Sequence, residues 1–330
     1  MIISKTPFRI SFFGGGTDYP VWYRENGGAV LSTTIDKYCY LTVRYLPPFF
    51  SYKHRIVYSK IEMVSDVKEI IHPAARAVIE FLGVEKGLEI HHDGDLPARS
   101  GLGSSSSFTV GLLHSLYALK GIMPSKETLA KEAIHIERDV LKENIGSQDQ
   151  VAVAYGGFNK ISFIGEDKID VHPITIKKER EEELKDHLML FFTGFTRIAS
   201  DIAKKQIENT PDKKKELNLM YQMVEEAINI LNGDKDILEF GKLLNEAWQI
   251  KKSLTDKIST FQIDDIYLRA RKTGAVGGKI LGAGGGGFML LFVPPDRKED
   301  VRKELKDLLE VPFSFEKNGS QIIYYNSSNQ

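Results

Sequence analysis

The sequence predicts an α+β protein built as two domains. Three observations carry that expectation. The chain has 330 residues, roughly twice the ~150 of a single domain. Strand-like and helix-like stretches are mixed without the steady βαβ rhythm of a doubly wound sheet. A polar, charged stretch over 165–186 reads as the connection between the domains, which gives domains 1–175 and 176–330.

Residues 2–12 alternate, with Phe8, Ile10 and Phe12 on one side and Lys5, Pro7, Arg9 and Ser11 on the other. That is a strand with one apolar and one partly basic face. Strand-like runs follow at 29–35, 38–46, 55–59 and 88–92. Phe108, Leu112, Leu116 and Leu119 recur about one turn apart and predict a helix over 104–119. A second helix, 125–142, opens with Pro124 and the cap candidate Ser125 and carries Ala130, Ala133, Ile134 and Leu141 on its apolar side. After a strand at 158–164 comes the connection, whose densest part, 177–185, mixes both charge signs and reads as a solvated helix face or loop. The rest alternates a strand at 188–193, helices at 212–231 and 236–253, and strands at 287–293 and 321–325.

Composition excludes several functions. Lysine and arginine number 44 against 45 acidic residues, so charge argues for neither a nucleic-acid nor a membrane partner. The one cysteine, Cys39, rules out an internal disulfide and fits a reducing cytosol. Lys5, Pro7 and Arg9 interrupt any signal-peptide core, and the most apolar run, 288–293, is far short of the ~20 residues of a membrane helix. The expectation is a soluble, cytoplasmic protein. The eight histidines show no H-E-x-x-H spacing, and the chain has neither a G-x-S-x-G elbow nor a Walker A loop.

Glycine is the unusual residue. Thirteen of the 28 fall at 14–16, at 101 and 103, and within 274–287, which suggests backbone brought close to a ligand. In the second cluster, Pro97-Ala-Arg99-Ser100-Gly101-Leu102-Gly103-Ser104-Ser105-Ser106-Ser107 leads into a helix. A helix N-terminus exposes unpaired N–H groups and the positive end of the macrodipole, where small residues let a phosphate approach. Four serines exceed what a cap requires. The third cluster, Gly282-Ala-Gly284-Gly285-Gly-Gly287, matches G-x-G-x-x-G by letter, but a strand follows where a dinucleotide site needs a helix. Its remaining use is close packing of a glycine loop against another backbone or a ligand, because a plain hairpin turn would need two glycines.

Two acids complete the pattern. Glu137 lies on the inward side of helix 125–142, where a carboxylate is costly unless paired or metal-bound. Asp149 follows 12 residues later in Gly146-Ser-Gln-Asp-Gln. One acid holding a cation and one orienting or deprotonating an acceptor hydroxyl is the arrangement phosphoryl transfer needs.

These motifs together resemble the GHMP kinases (galactokinase, homoserine, mevalonate and phosphomevalonate kinases). Lys5-Thr-Pro-Phe-Arg9-Ile-Ser-Phe-Phe-Gly14-Gly15-Gly16-Thr17-Asp18 resembles their first motif, Pro97 to Ser107 their second, and Gly277-Gly-Lys-Ile-Leu-Gly-Ala-Gly-Gly-Gly-Gly287 their third, in the family's order. The resemblance implies an N-terminal domain like ribosomal protein S5 domain 2 and a ferredoxin-like C-terminal domain, with ATP between them. It implies ATP phosphates wrapped by residues 97 and 99–107, and magnesium on Ser105 and Glu137, with Ser104 competing for the metal. Asp149 matches the family's catalytic aspartate, and Arg9 its basic residue beside the transferred phosphate. The third motif would brace the phosphate loop and border the substrate at Gly284 and Gly285, and Asp18 aligns with an aspartate that galactokinases use on sugar hydroxyls.

Where galactokinases carry Glu-His before Thr-Asp, this chain has Gly15-Gly16, which leaves room for a larger substrate. That wording, with Thr193-Gly-Phe-Thr-Arg197, is most similar to the branch acting on D-glycero-D-manno-heptose 7-phosphate. The implied reaction is ATP- and magnesium-dependent phosphorylation of its 1-hydroxyl, toward nucleotide-activated heptose for surface polysaccharide. Gly15, Gly16, Thr17, Asp18 and Arg197 would face the sugar, with Arg197 and Arg99 as candidate partners of its phosphate. The alternatives are a fucokinase- or galactokinase-type enzyme of an unphosphorylated sugar and a catalytically silent ATP-binding sugar sensor.

Overall fold

The structure is a computed structural model that describes residues 1–98, 100–166, 168–195 and 199–326. Strand β1 (Ile2–Phe13) alternates as its sequence requires, yet both its faces are covered. Phe8, Ile10 and Phe12 enter the core, and Arg9 and Ser11 on the opposite face are buried as well. β1 pairs antiparallel with β2 (Gly28–Tyr45) across helix α1 (Pro20–Asn26). The separate strands expected at 29–35 and 38–46 are one. The polar pair Asp36-Lys37 is absorbed by a register shift between Pro7 and Phe8 of the partner strand.

The first unit continues with β3 (His54–Val57), β4 (Ile61–Val64), α2 (Pro73–Phe81), β5 (Leu88–Gly94), α3 (Ser104–Leu119), α4 (Lys126–Ile134), α5 (Gln148–Tyr155), β6 (Phe158–Ile164) and β7 (Lys168–Pro173). Among the described residues its sheet runs β4-β3-β5-β2-β1, with β6 and β7 extending from the other end of β2. Ser125 caps α4 by accepting the Thr128 N–H. The single helix expected over 125–142 breaks, however. α4 ends at Ile134 and the chain widens into a π-helical turn, His135–Val140, closed by the bond from Leu141 N to Ile136 O at 2.9 Å.

The stretch 165–186 is not a bare connection either. It forms β7 against β6 and then α6 (Lys178–Asp186), which buries Leu184 and turns Arg180 to the Ile230 carbonyl while most of its other charged residues stay toward solvent. The second unit adds β8 (Leu188–Phe192), α7 (Ala199–Asn209), α8 (Lys214–Asn232), α9 (Leu238–Lys252), α10 (Phe261–Lys272), β9 (Gly277–Ile280), β10 (Phe288–Phe292), α11 (Lys298–Glu304) and β11 (Leu309–Glu310). These strands make an antiparallel sheet in the order β11-β8-β10-β9. The chain then returns to the first sheet. β12 (Phe315–Glu316) pairs with β2, and β13 (Gln321–Tyr325) pairs with β1.

Aromatic rings join the units. Phe240 of α9 meets Phe12 and Phe13 of β1 edge-on, with centroids at 5.6 and 5.1 Å, and lies 6.2 Å from Phe292 of β10. Such pairs add ~0.5–1.5 kcal/mol each beyond the area they bury. The junction therefore fixes β1, and with it Arg9, against the second sheet. No helix among the described residues is long and apolar enough to cross a membrane.

Candidate active site

Strand geometry delivers the first functional side chain. With Phe8 and Ile10 packed into the core, the pleat turns Arg9 to the other face, toward α5 and the loop ahead of α3. There Arg9 Nε donates to Asp149 Oδ1 at 2.8 Å and Nη2 to Asp149 Oδ2 at 2.7 Å, while Nη1 donates to Gly101 O at 2.6 Å. The Arg9 backbone N–H bonds Leu102 O at 2.9 Å. One residue thus ties the expected catalytic acid to the glycine-serine loop. Asp149 lies in the first turn of α5 and stays partly open to solvent.

The loop residues divide sharply. Leu102 is core, and Ser107 Oγ is used up by Pro7 O and Gly103 O, fastening α3 to β1. Pro97 is exposed, and the buried Ser100 Oγ has no partner among the described residues. Gly103 takes φ +77° at the N-cap of α3 and brings the backbone against Arg9. Ser105 and Ser106 donate to Glu137 at 3.3 and 2.9 Å, and Thr109 Oγ1 and Gln150 Nε2 do so as well, Thr109 at 2.8 Å. Glu137 sits on the π-helical turn, fully buried, and burial pushes its carboxyl up to about 7 against the pull of those donors. Among the described residues four side-chain donors surround it. This oxygen-rich set fits a hard divalent ion bound through one carboxylate and substrate phosphates, and the described residues hold no cluster of three His, Cys, Asp or Glu that would make an all-protein cage.

The first glycine cluster builds a second acid site. Asp18 is buried, its Oδ1 accepting from Gly16 N at 2.8 Å and its Oδ2 from Gln148 Nε2 at 2.9 Å. Burial raises its carboxyl above the usual range, and the nearby Asp149 charge adds to that. Gly146 passes so close that a Cβ there would lie 1.8 Å from Asp18 Oδ2. Thr17 does not point at this site. Its hydroxyl bonds Gly14 O and Ala29 O, pinning the turn to β2. The room expected at Gly15-Gly16 exists at only one of the two. A Cβ on Gly15 would make ordinary contacts, at 3.7 Å from Gln148 Nε2 and 3.9 Å from Ser11 Oγ, whereas one on Gly16 would meet Gln206 Nε2 of α7 at 2.6 Å.

The third cluster is a β9–β10 hairpin loop whose glycines pack against neighbouring backbone, not the two-residue turn that the pattern argued against. A Cβ on Gly282 would lie 2.6 Å from Gly101 Cα, and one on Gly101 2.3 Å from Leu281 O. Phe288 N bonds Ser100 O at 3.2 Å, and Gly285 N bonds Ile258 O at 2.8 Å, with Gly284 pressed on the same residue. The hairpin braces the 100–103 backbone. Arg99 and Arg197 lie outside the described residues.

Two lysines were missed. Lys251 (α9) and Lys279 (β9) are both buried at this junction. Lys279 Nζ donates to Ser11 O and Phe12 O, each at 2.9 Å. Lys251 Nζ donates to Gly282 O, and burial, then Arg9, push it down to about 8. The signal was available: Leu244, Trp248 and Lys251 share one helix face, so Lys251 is a charge on an apolar stripe, as Glu137 is.

Comparison with known proteins gives the same picture from outside. Residues 68–157 match the family described as GHMP kinases N terminal domain and residues 223–311 the one described as GHMP kinases C terminal. A D-glycero-alpha-D-manno-heptose 7-phosphate kinase of Campylobacter jejuni is 30% identical over 96% of this chain and 97% of its own. A galactokinase of Pyrococcus furiosus is 24% identical over 91% of each chain. The solved structure of a D-glycero-D-manno-heptose 1-phosphate kinase from Bacteroides thetaiotaomicron superposes with TM-score 0.80 at 27% identity, covering 99% of this chain and 100% of that one.

Proposed function

The chain belongs to the GHMP kinase family and is a sugar kinase of that type, and from this premise we propose that it transfers the γ-phosphoryl group of ATP to the 1-hydroxyl of a D-glycero-D-manno-heptose 7-phosphate. The observation that carries the reading is the tie between Asp149, Arg9 and the Gly101 backbone, in a chain that aligns nearly end to end with a heptose 7-phosphate kinase.

In this mechanism the 101–107 loop and the start of α3 receive the ATP phosphates on backbone N–H groups. Asp149 orients the acceptor hydroxyl and accepts its proton. Each carboxylate oxygen keeps a lone pair beyond the one given to Arg9. Arg9 turns part of its fork to the transferring group, where charge develops. Glu137 and Ser105 would hold magnesium, which when bound neutralises charge on the nucleotide phosphates. Asp18, held by Gly16 and Gln148, faces sugar hydroxyls, and the missing side chain at Gly15 leaves the backbone there open to the acceptor.

The names of the two heptose kinases differ in where the sugar carries phosphate, so the test compares both isomers. ADP release is measured with heptose 7-phosphate, heptose 1-phosphate, free heptose, fucose, galactose and mevalonate. The proposal expects the highest kcat/KM with the 7-phosphate. A higher value with free fucose or galactose would favour the unphosphorylated-sugar reading, and no turnover with any compound would favour the sensor.

A further inference from the structure

We propose that Lys251 is a catalytic cation for this reaction, delivered from the second unit to contact the phosphoryl group during transfer. The inference rests on the kinase reading above and adds a residue that lies outside the three glycine motifs and the two acids.

The argument begins from cost. A lysine almost wholly removed from water is unfavourable unless its charge and its three donors are met. Among the described residues Lys251 has one hydrogen bond, to Gly282 O, and no carboxylate within ion-pair distance. Lys279, its buried neighbour, differs. Its two bonds to Ser11 O and Phe12 O fasten β9 to β1, which is a structural tie. The remaining cation, Arg9, already has its charge met by Asp149, with a third nitrogen on Gly101 O. Three buried cations thus gather near two acids, Asp18 and Asp149, and among the described residues the one that combines two unmet donors with no carboxylate in contact is Lys251. Such a site is complete only with an anion.

Position identifies which anion. Gly282, which Lys251 holds, packs on Gly101, and Gly101 O is held by Arg9. Arg9 and Lys251 therefore flank one point of the loop that receives the nucleotide phosphates. Lys251 also lies in the field of Asp149, which takes the acceptor proton. In the step proposed, the acceptor oxygen bonds to the γ-phosphorus and its proton passes to Asp149. The bond from that phosphorus to the β,γ-bridging oxygen breaks, its electron pair leaving on ADP. Lys251 donates to a non-bridging oxygen of the group in flight, on the side opposite Arg9.

The test uses the full chain with Lys251→Met and Lys251→Gln. Glutamine keeps a donor for Gly282 O without the charge, so a role confined to holding the loop predicts near-wild-type turnover for it. The proposal predicts that both variants lose about 10²–10³-fold in kcat, the usual consequence of deleting one preorganised donor. It also predicts that KM for the sugar and affinity for ADP stay within about threefold. Calorimetry with a non-hydrolysable ATP analogue and ADP supplies a readout without turnover: the preference of wild type for the triphosphate should collapse in both variants. Wild-type kcat and an intact preference in Lys251→Gln would overturn the proposal. So would a loss confined to KM of the phosphorylated acceptor, because the lysine would then be reading the sugar's phosphate. Absence of turnover in wild type counts against the kinase reading alone, since the calorimetric comparison still tests Lys251.

Discussion

Arg9 grips both carboxylate oxygens of Asp149, at 2.8 and 2.7 Å, and with its third nitrogen holds the carbonyl of Gly101 at 2.6 Å. These residues come from three separate parts of the chain, and a single guanidinium fork sets the distance between them. A lysine could not reproduce this, because it offers a point charge instead of a planar set of donors.

Asp149→Asn should therefore separate chemistry from binding. Asparagine keeps one oxygen acceptor for Arg9, so the loop geometry survives, but it cannot take a proton. We expect kcat to fall about 10²–10⁴-fold, the range for loss of a general base. Nucleotide affinity should stay close to wild type, while melting temperature falls, because the buried Arg9 loses its counter-charge and one of two acceptors. Steady-state ADP release with calorimetry of nucleotide binding checks both halves. A variant with near-normal turnover would remove Asp149 from the mechanism.

Gly15 and Gly16 should respond oppositely to alanine. Gly15 has an ordinary backbone, and its added methyl would sit 3.7 Å or more from its neighbours, beside Gln148 and Ser11. Gly15→Ala should fold normally and raise KM for the sugar while leaving KM for ATP alone. Gly16 has φ +112° and no free space before Gln206. Gly16→Ala should lose about 1–3 kcal/mol of stability, the cost of forcing a side chain into that conformation. Thermal melts and acceptor KM values distinguish the two. Equal melting temperatures, or an unchanged sugar KM in Gly15→Ala, would show that the first cluster does not shape the acceptor site this way.

Much of this site was legible in the sequence, for reasons particular residues make plain. Period-two alternation in β1 fixes the side on which Arg9 lies, and Glu137 betrayed itself as a charge on an apolar helix face. What escaped was set by distant partners. The π-helical turn under Glu137 carries no signal in propensity, and α4 reads as one continuous helix across it. β7 and β12 are short and only half apolar, becoming strands because β6 and β2 offer them edges. The glycines of the third loop declared themselves, but only the fold shows that Gly282 needs to be small because Gly101 passes beside it.

His114 should set part of the acid sensitivity of the fold. It lies on α3, where Nδ1 meets Ser320 Oγ at 3.0 Å, and Ser320 in turn meets Thr6 Oγ1 at 2.9 Å. This small network binds the returning end of the chain to β1 and α3. Burial lowers the imidazole from its ordinary 6.5 to about 4. Because the folded pKa is depressed, the unfolded chain takes up a proton first as pH falls. The stabilisation is thus complete above about 6.5, declines through the interval and is gone below about 4. At 1.36 kcal/mol per unit the full difference is about 3 kcal/mol, and about 2 kcal/mol of it should be lost by pH ~4.5. His114→Gln removes the titrating group while leaving an amide able to reach Ser320. Denaturant unfolding at pH 7 and ~4.5 should show wild type losing about 2 kcal/mol more than the variant between the two. Parallel losses in both proteins would mean that His114 gains its proton without opposing the fold, and that the acid response resides in the carboxylates.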